Sequence, residues 1–505
     1  MKPLRTLLIG LGVIGCMGWL QAQSLPDTCY RSAEVLVVAI ERLDTTTTAT
    51  IDLDKIDYPS DQIFTFRGSP ERDMPQHGRL AAPPDSIVQV WCYQTGSDDR
   101  TTQYGTWYGG AGWTGQPLYV EWPDSLFAQQ RASSSAVTDH FAAREVIVGS
   151  LSGEICFLDF ESGKASRAPY QTGNPIKGTP SLDPRLNGLL YVGQGVPHET
   201  PFGALTFDLM SHRIISCFDY DPKAWRRWGA YDSSPIVVGD FVIRPGENGG
   251  LYKWVAHPEA DSMHLHTVMR YRVKGQKAAG MEASAAIYRN YCYTLDNHGN
   301  VVCTNLDTMH PVWHFFNGDD CDASPLLLIE EGIPMLYVGS AVDKQGEEGY
   351  CHFTKLDGRN GEVVWQQRFP CERISLYGRA REAGMFATPL VGHGDCEGLL
   401  FTNLCGLEGE RGTFVAIDRH TGQIRYRTAL KHYSWSSPVG LYTPEGALFV
   451  FTGDVTGYGY LIEGATGTIR FVKHLAANFE ASPIVVGDRI VIGSRGREIY
   501  QFQVR

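Results

Sequence analysis

Leu356-Asp357-Gly358-Arg359-Asn360-Gly361-Glu362-Val363-Val364-Trp365 joins an apolar-Asp step to a polar turn, a glycine and an apolar strand ending in Trp. Related stretches recur. Ile417-Asp418 leads through Thr421-Gly422 to Tyr426, Leu158-Asp159 leads to Ser162-Gly163, and Thr466-Gly467 leads to Phe471. A second phrase accompanies them, a small or polar pair before Pro and an apolar strand. It reads Gly115-Gln116-Pro117, Gly178-Thr179-Pro180, Ser233-Ser234-Pro235 and Ala283-Ser284-Ala285 in the first half. In the second half it reads Ala323-Ser324-Pro325, Ala387-Thr388-Pro389, Ser436-Ser437-Pro438 and Ala481-Ser482-Pro483. These eight copies are spaced by 40 to 64 residues, with a mean near 52. Four short strands per copy of this length is the arithmetic of a propeller blade.

The ends of the chain fit a closed ring. The last copy stops after a third strand, at Gln501-Phe502-Gln503-Val504-Arg505. A fourth strand without a copy of its own, Ile87 to Gly96, stands before the first copy and carries Trp91. This strand is expected to complete the last blade, because closure removes the free sheet edges that invite aggregation. The fold class expected is all-β, an eight-bladed propeller over residues 85–505, preceded by an extension at 23–84 and a signal peptide at 1–22.

Composition agrees. The chain has 505 residues, 43% hydrophobic and 20% charged, which excludes a disordered tail or a charged coiled coil. Its 55 Gly stand beside 24 Tyr, 22 Phe and 11 Trp, which favours strands and tight turns over helices. A net charge of −12 argues against nucleic acid as a partner, because phosphate contacts need clustered Lys and Arg.

Lys2 and Arg5 precede the apolar run 6–20, and Gln21-Ala22-Gln23-Ser24 follows it, the pattern of a secretory signal. Two processing readings stay open. Cleavage after Ala22 gives an ordinary exported protein; Val13-Ile14-Gly15-Cys16 resembles a lipobox that would lipidate Cys16. No other run is long enough to span a membrane, so a periplasmic, outer-membrane-associated or surface protein, monomeric, is expected. Eleven of the twelve Cys follow residue 22. Cys292 and Cys303 flank a turn-like segment and are either a hairpin disulfide or two buried thiols.

The blade signature, from the apolar-Asp step to the strand-end Trp, resembles the pyrroloquinoline-quinone (PQQ) propeller repeat. Asp357 to Trp365 and Asp418 to Tyr426 match best, and the resemblance covers about residues 85–505. Residues 64–73 look like the short segment preceding the first blade in some of these propellers, while 44–52 read as a polar strand or linker. The resemblance implies the fold and leaves two kinds of function. Quinoprotein dehydrogenases stack the quinone between a Trp and a vicinal Cys-Cys disulfide, with Ca²⁺ held by Glu and Asn and an Asp as base. BamB-like relatives bind no quinone and act as scaffolds. This sequence contains no adjacent Cys pair. No cofactor is therefore expected, with PQQ and Ca²⁺ as the alternative.

Candidate site residues follow from the repeat. The residues three before each repeat Pro position are Thr114, Lys177, Asp232, Glu282, Asp322, Phe386, Trp435 and Glu480. Rotational equivalence places such positions on one ring around the axis, at the mouth of the channel. The carboxylates on it, with Lys177, either bind a cation or polar ligand or are satisfied by internal ion pairs. Trp113, Arg227 and Arg379 lie in loops entering these strands and suit protein or glycan contact. Glu247-Asn248 is either a Ca²⁺ ligand pair or part of a plain hairpin turn. HExxH, GxSxG and P-loop motifs are absent. The expected function is an exported scaffold binding a protein or glycan partner in the bacterial envelope, with a PQQ-dependent oxidoreductase for alcohols or sugars as the alternative.

Overall fold

The computed structural model describes residues 30–505, apart from 32, 54–57, 74, 76, 77, 114, 134–141, 258–261 and 377–378. The signal peptide, Cys16 and Thr114 lie outside the described residues. Eight blade sheets, one per repeat, stand in sequence order, with inner strands at Leu118, Ser181, Ile236, Ala286, Leu326, Leu390, Val439 and Ile484. The blade strands pair antiparallel, and Gly78–Arg79 of the extension adds in parallel beside Val439–Tyr442. We number these blades 1 to 8. Strand Ile87–Gln94 pairs with Glu498–Val504 as the outer strand of blade 8, which closes the ring. The register runs from Glu498 opposite Gln94 to Val504 opposite Ile87.

The repeated aromatic and glycine act together between blades. The indole N–H of Trp91, on blade 8, donates to the Phe160 carbonyl of blade 1 at 3.0 Å. Trp313 donates to Gly358 O at 3.0 Å, Trp365 to Arg419 O at 3.1 Å, and the Tyr426 hydroxyl to Gly464 O at 2.6 Å. In each case the ring of one blade docks on the last turn of the next. Gly361 and Gly422 lie under Trp313 and Trp365 with φ of 76° and 73°, and an added Cβ would come within 2.7 and 2.6 Å of those rings. Two constraints, left-handed backbone and lack of space, therefore require glycine there. The preceding Asp caps the turn: Asp357 accepts from the Arg359 N–H at 2.9 Å and Asp418 from His420 N–H at 3.0 Å.

The Ser or Thr of the second phrase has a different task. The Ser284 hydroxyl accepts the Ser234 N–H at 2.8 Å, and the Ser324 hydroxyl accepts the Ser284 N–H at 2.9 Å. Likewise Thr388 N–H donates to Ser437 Oγ at 3.0 Å, and Ser437 N–H to Ser482 Oγ at 3.1 Å. Neighbouring blades are thus linked around the axis by hydroxyls at one repeat position. Each link satisfies a buried backbone donor that no sheet partner reaches.

The N-terminal extension adds outer strands and then fills the channel. Leu36–Arg42 pairs with the outer strand of blade 3, and Tyr30–Arg31 with that of blade 4. The 44–52 stretch, expected to be a polar strand or linker, is a turn region in which Asp44 Oδ1 accepts the Thr46 N–H at 2.7 Å. Residues 63–73 then cross the axis. Ile63, Phe64, Pro70 and Glu71 offer carbonyls to the N–H groups of Tyr119, Leu182, Ile287 and Leu327, on blades 1, 2, 4 and 5. Arg67 and Arg72 are fully buried in this plug. Arg67 donates to Pro389 O at 3.0 Å and Pro438 O at 2.8 Å; Arg72 donates to Ala285 O at 2.8 Å and Ser234 O at 3.0 Å. The inner strands of a propeller leave polar backbone facing the channel, and the plug satisfies it.

Cys292 and Cys303 are both buried free thiols, not a disulfide. Their register explains this. Cys292 lies opposite Thr304 and Cys303 opposite Tyr293, so the two are one residue out of step and face opposite sides of the sheet. Among the described residues no helix is long and apolar enough to cross a membrane.

Candidate channel-mouth site

The start of each inner strand brings its residue to the channel mouth, directly above the plug. There the described residues line a pocket open to solvent, with about 50 Å³ of room for the centres of water-sized groups. Its lining has two unlike halves. Asp232, Glu282 and Asp322, at one repeat position of blades 3, 4 and 5, form an acidic wall joined by Glu382. Trp113, Phe386 and Trp435 form an aromatic wall, and Phe66 of the plug contributes to the lining from below. Trp435 packs against Trp113 at 5.4 Å and Phe386 at 5.3 Å between ring centroids.

Lys177, from blade 2, is buried and ion-paired with Asp232. Its ammonium lies 4.6 Å from the centroid of Trp113 and 5.9 Å from that of Trp107, a cation–π arrangement. Burial works against the Lys177 charge, but Asp232, Glu282 and Glu247 outweigh it and hold its pKa above the ordinary lysine value. Ligand atoms of Asp232, Glu247 and Glu282 lie within 4.8 Å of one another, close enough for one cation. The Lys177 ammonium already serves this group. Glu247 itself is buried, accepts from the Trp228 indole N–H at 2.9 Å, and has its pKa pushed well up by burial and then by Glu282 and Asp232. Asn248 is a turn residue, accepting from the Gly250 N–H at 3.0 Å and the Tyr252 hydroxyl at 3.0 Å.

On the far side of the acidic wall no described ion pair reaches Asp322 or Glu382; Lys344 acts on both, and Arg373 on Glu382, but too weakly to outweigh burial and the neighbouring carboxylates. Burial, then Asp320, Glu282 and Glu382, raise the Asp322 pKa well above the usual carboxylate range. Burial, then Asp343, raises that of Glu382. Three buried atoms in the lining lack hydrogen-bond partners: Asp232 Oδ1, Asp232 Oδ2, which is ion-paired with Lys177, and the indole Nε1 of Trp435, residues 7% and 5% exposed.

Of the sequence candidates, Trp113, Asp232, Glu282, Asp322, Phe386 and Trp435 line the pocket, with Lys177 behind them. Glu480 is buried nearby but tied to Arg495 at 3.3 Å. Arg227 and Arg379 are exposed and outside the lining, because their loops carry them outward. The sequence offered no sign that Phe66 would reach this pocket, since no repeat relates the extension to the blades. Glu382 was visible only as a charged loop residue.

No family model and no curated protein matches the sequence. Solved structures do match. A europium-containing methanol dehydrogenase aligns at 13% identity with a TM-score of 0.60, over 89% of this chain and 99% of that one. Quinohemoprotein alcohol dehydrogenase from Comamonas testosteroni aligns at 13% identity with a TM-score of 0.59, over 90% and 82%. BamB from Moraxella catarrhalis aligns at 15% identity with a TM-score of 0.48, over 73% and 98%. The chain has the eight-bladed β-propeller fold, as the two alcohol dehydrogenase structures it aligns with do.

Proposed function

We propose that this protein is an exported propeller of the bacterial envelope that binds a protein or glycan partner at its channel mouth. The observation that carries the reading is the pocket itself, with its acidic wall, its aromatic wall and the plug beneath it. Such a pocket suits a group inserted from outside, fixed by a few polar contacts against an apolar surface.

The alternative, a quinone-dependent oxidoreductase, meets a charge conflict. PQQ carries carboxylates of its own. They would face Asp232, Glu282, Asp322 and Glu382, and no Lys or Arg is among the lining residues. Like charges brought together in a partly desolvated site are unfavourable. A Ca²⁺ ion at Asp232, Glu247 and Glu282 would have to displace the Lys177 ammonium, which is buried with them. The residues present do not fit an anionic quinone.

The test is capture from envelope extract on the immobilised mature protein, run beside reconstitution with PQQ and Ca²⁺. The binding reading expects a partner retained by wild type and lost from Trp435→Ala. Dye-linked oxidation of alcohols or sugars after reconstitution would overturn it.

A further inference from the structure

We infer that the channel mouth receives the side chain of a lysine or arginine from a partner protein, an inference that rests on the binding reading above. The argument begins with charge. Four carboxylates line the pocket, Asp232, Glu282, Asp322 and Glu382, and among the described ion pairs only Asp232 is in contact with a cation. Lys344 offsets part of the charge at Asp322 and Glu382, and Arg373 part of that at Glu382, without pairing with either. Among the described hydrogen bonds and ion pairs, Glu282, Asp322 and Glu382 take no partner. Burying carboxylates side by side is unfavourable, and without a positive group they relieve the repulsion by holding protons, as the raised pKa values of Asp322 and Glu382 indicate. An incoming cation would release those protons and take their place.

The opposite wall narrows the class of cation. A metal ion would use only the oxygens and would leave Trp113, Phe386 and Trp435 unexplained. A neutral sugar could stack on the rings but would leave the charge uncompensated. An ammonium or guanidinium on a hydrocarbon stem uses both walls, because the stem lies on the rings while the head meets the carboxylates. The molecule already contains this arrangement. Lys177 sets its ammonium over Trp113 at 4.6 Å while pairing with Asp232. The incoming side chain would repeat it on the other side of the acidic wall, between Phe386 or Trp435 and Asp322 or Glu382.

One unpartnered buried atom supports a ligand that also carries hydrogen-bonding groups. Trp435 Nε1 lacks an acceptor, in a residue more than nine-tenths buried. A peptide offers one through its backbone carbonyls. The acidic net charge of −12 adds long-range attraction for a basic partner.

The experiment is calorimetric titration of the full mature chain with acetyl-Gly-Lys-Gly-amide and acetyl-Gly-Arg-Gly-amide. The norleucine peptide, glucosamine and CaCl₂ serve as comparison titrants. The lysine or arginine peptide should bind saturably and at least tenfold more tightly than the norleucine peptide. Asp322→Asn and Glu382→Gln should each weaken it about tenfold, and Phe386→Leu should weaken it with both charges intact. Having two separate carboxylate variants keeps the test open if one fails to fold. Equal binding of the norleucine peptide would overturn the inference. So would glucosamine binding without peptide binding, which would identify an amino-sugar ligand, or Ca²⁺ binding that excludes the peptides. Failure of the peptides with a captured partner still retained overturns this inference alone; PQQ-dependent dye reduction overturns the binding reading beneath it.

Discussion

Single residues explain why the repeat phrases look as they do. Ser, Thr or Gln before the repeat Pro was legible only as a spacing marker. In the fold the Ser and Thr hydroxyls link neighbouring blades, so the residue type is set by an unsatisfied N–H across a blade boundary. Glu71 shows the opposite situation, a group held at a cost. It lies in the plug, where burial and then Asp73 push its carboxyl from 4.5 up to about 7. A carboxyl raised in the folded state binds a proton that the unfolded chain has released, so stability is forfeited as pH rises from about 4 through 7. Glu71→Gln should therefore leave the unfolding free energy nearly unchanged at pH 4.5. At pH 8 it should stabilise the protein by about 1–2 kcal/mol, measured by chemical denaturation at both pH values.

At the scale of elements, the blade signature was readable because each blade repeats the same solution. The Trp within an outer strand docks on the next blade's glycine turn, so Trp and Gly recur at a fixed interval. Trp365→Ala removes a buried ring and its bond to Arg419 O, and should cost about 3–5 kcal/mol. Trp365→Phe keeps most of the ring and should cost nearer 1–2 kcal/mol, as read by denaturant midpoints. The closing strand was also legible, since Ile87 to Gly96 carries the outer-strand pattern with no blade of its own. Removing residues 23–96 takes away that strand and the plug together. The truncated chain should be insoluble or should melt far below the full chain, and equal melting would contradict the closure. The plug's path was not legible. Its contacts depend on backbone groups of seven blades, and no periodicity in 58–73 announces them. Cys292 and Cys303 teach a similar lesson: hairpin spacing brought them close, and a register offset of one residue turned them apart.

For the whole molecule, rotation of one repeat position around an axis made the mouth partly legible before any coordinates. Asp232, Glu282 and Asp322 fall together because blades 3, 4 and 5 are consecutive, while Glu480 is drawn into a pair with Arg495. Loop residues escaped this logic, since insertions of differing length separate the copies, and so Arg227 and Arg379 point elsewhere. Export is the setting in which a binding role in the envelope makes sense. Cleavage after Ala22 predicts a mature N-terminus at Gln23 by mass spectrometry, with Cys16→Ser leaving the fractionation unchanged. A palmitate label lost in Cys16→Ser would instead establish the lipoprotein. The central claim is that the channel mouth binds a cationic group rather than a quinone. It is tested most directly by competition calorimetry on the mature chain, with the lysine peptide titrated before and after addition of PQQ and Ca²⁺. Saturable peptide binding that the quinone mixture leaves unchanged is the predicted result; saturable quinone binding with no heat from the peptide would contradict it.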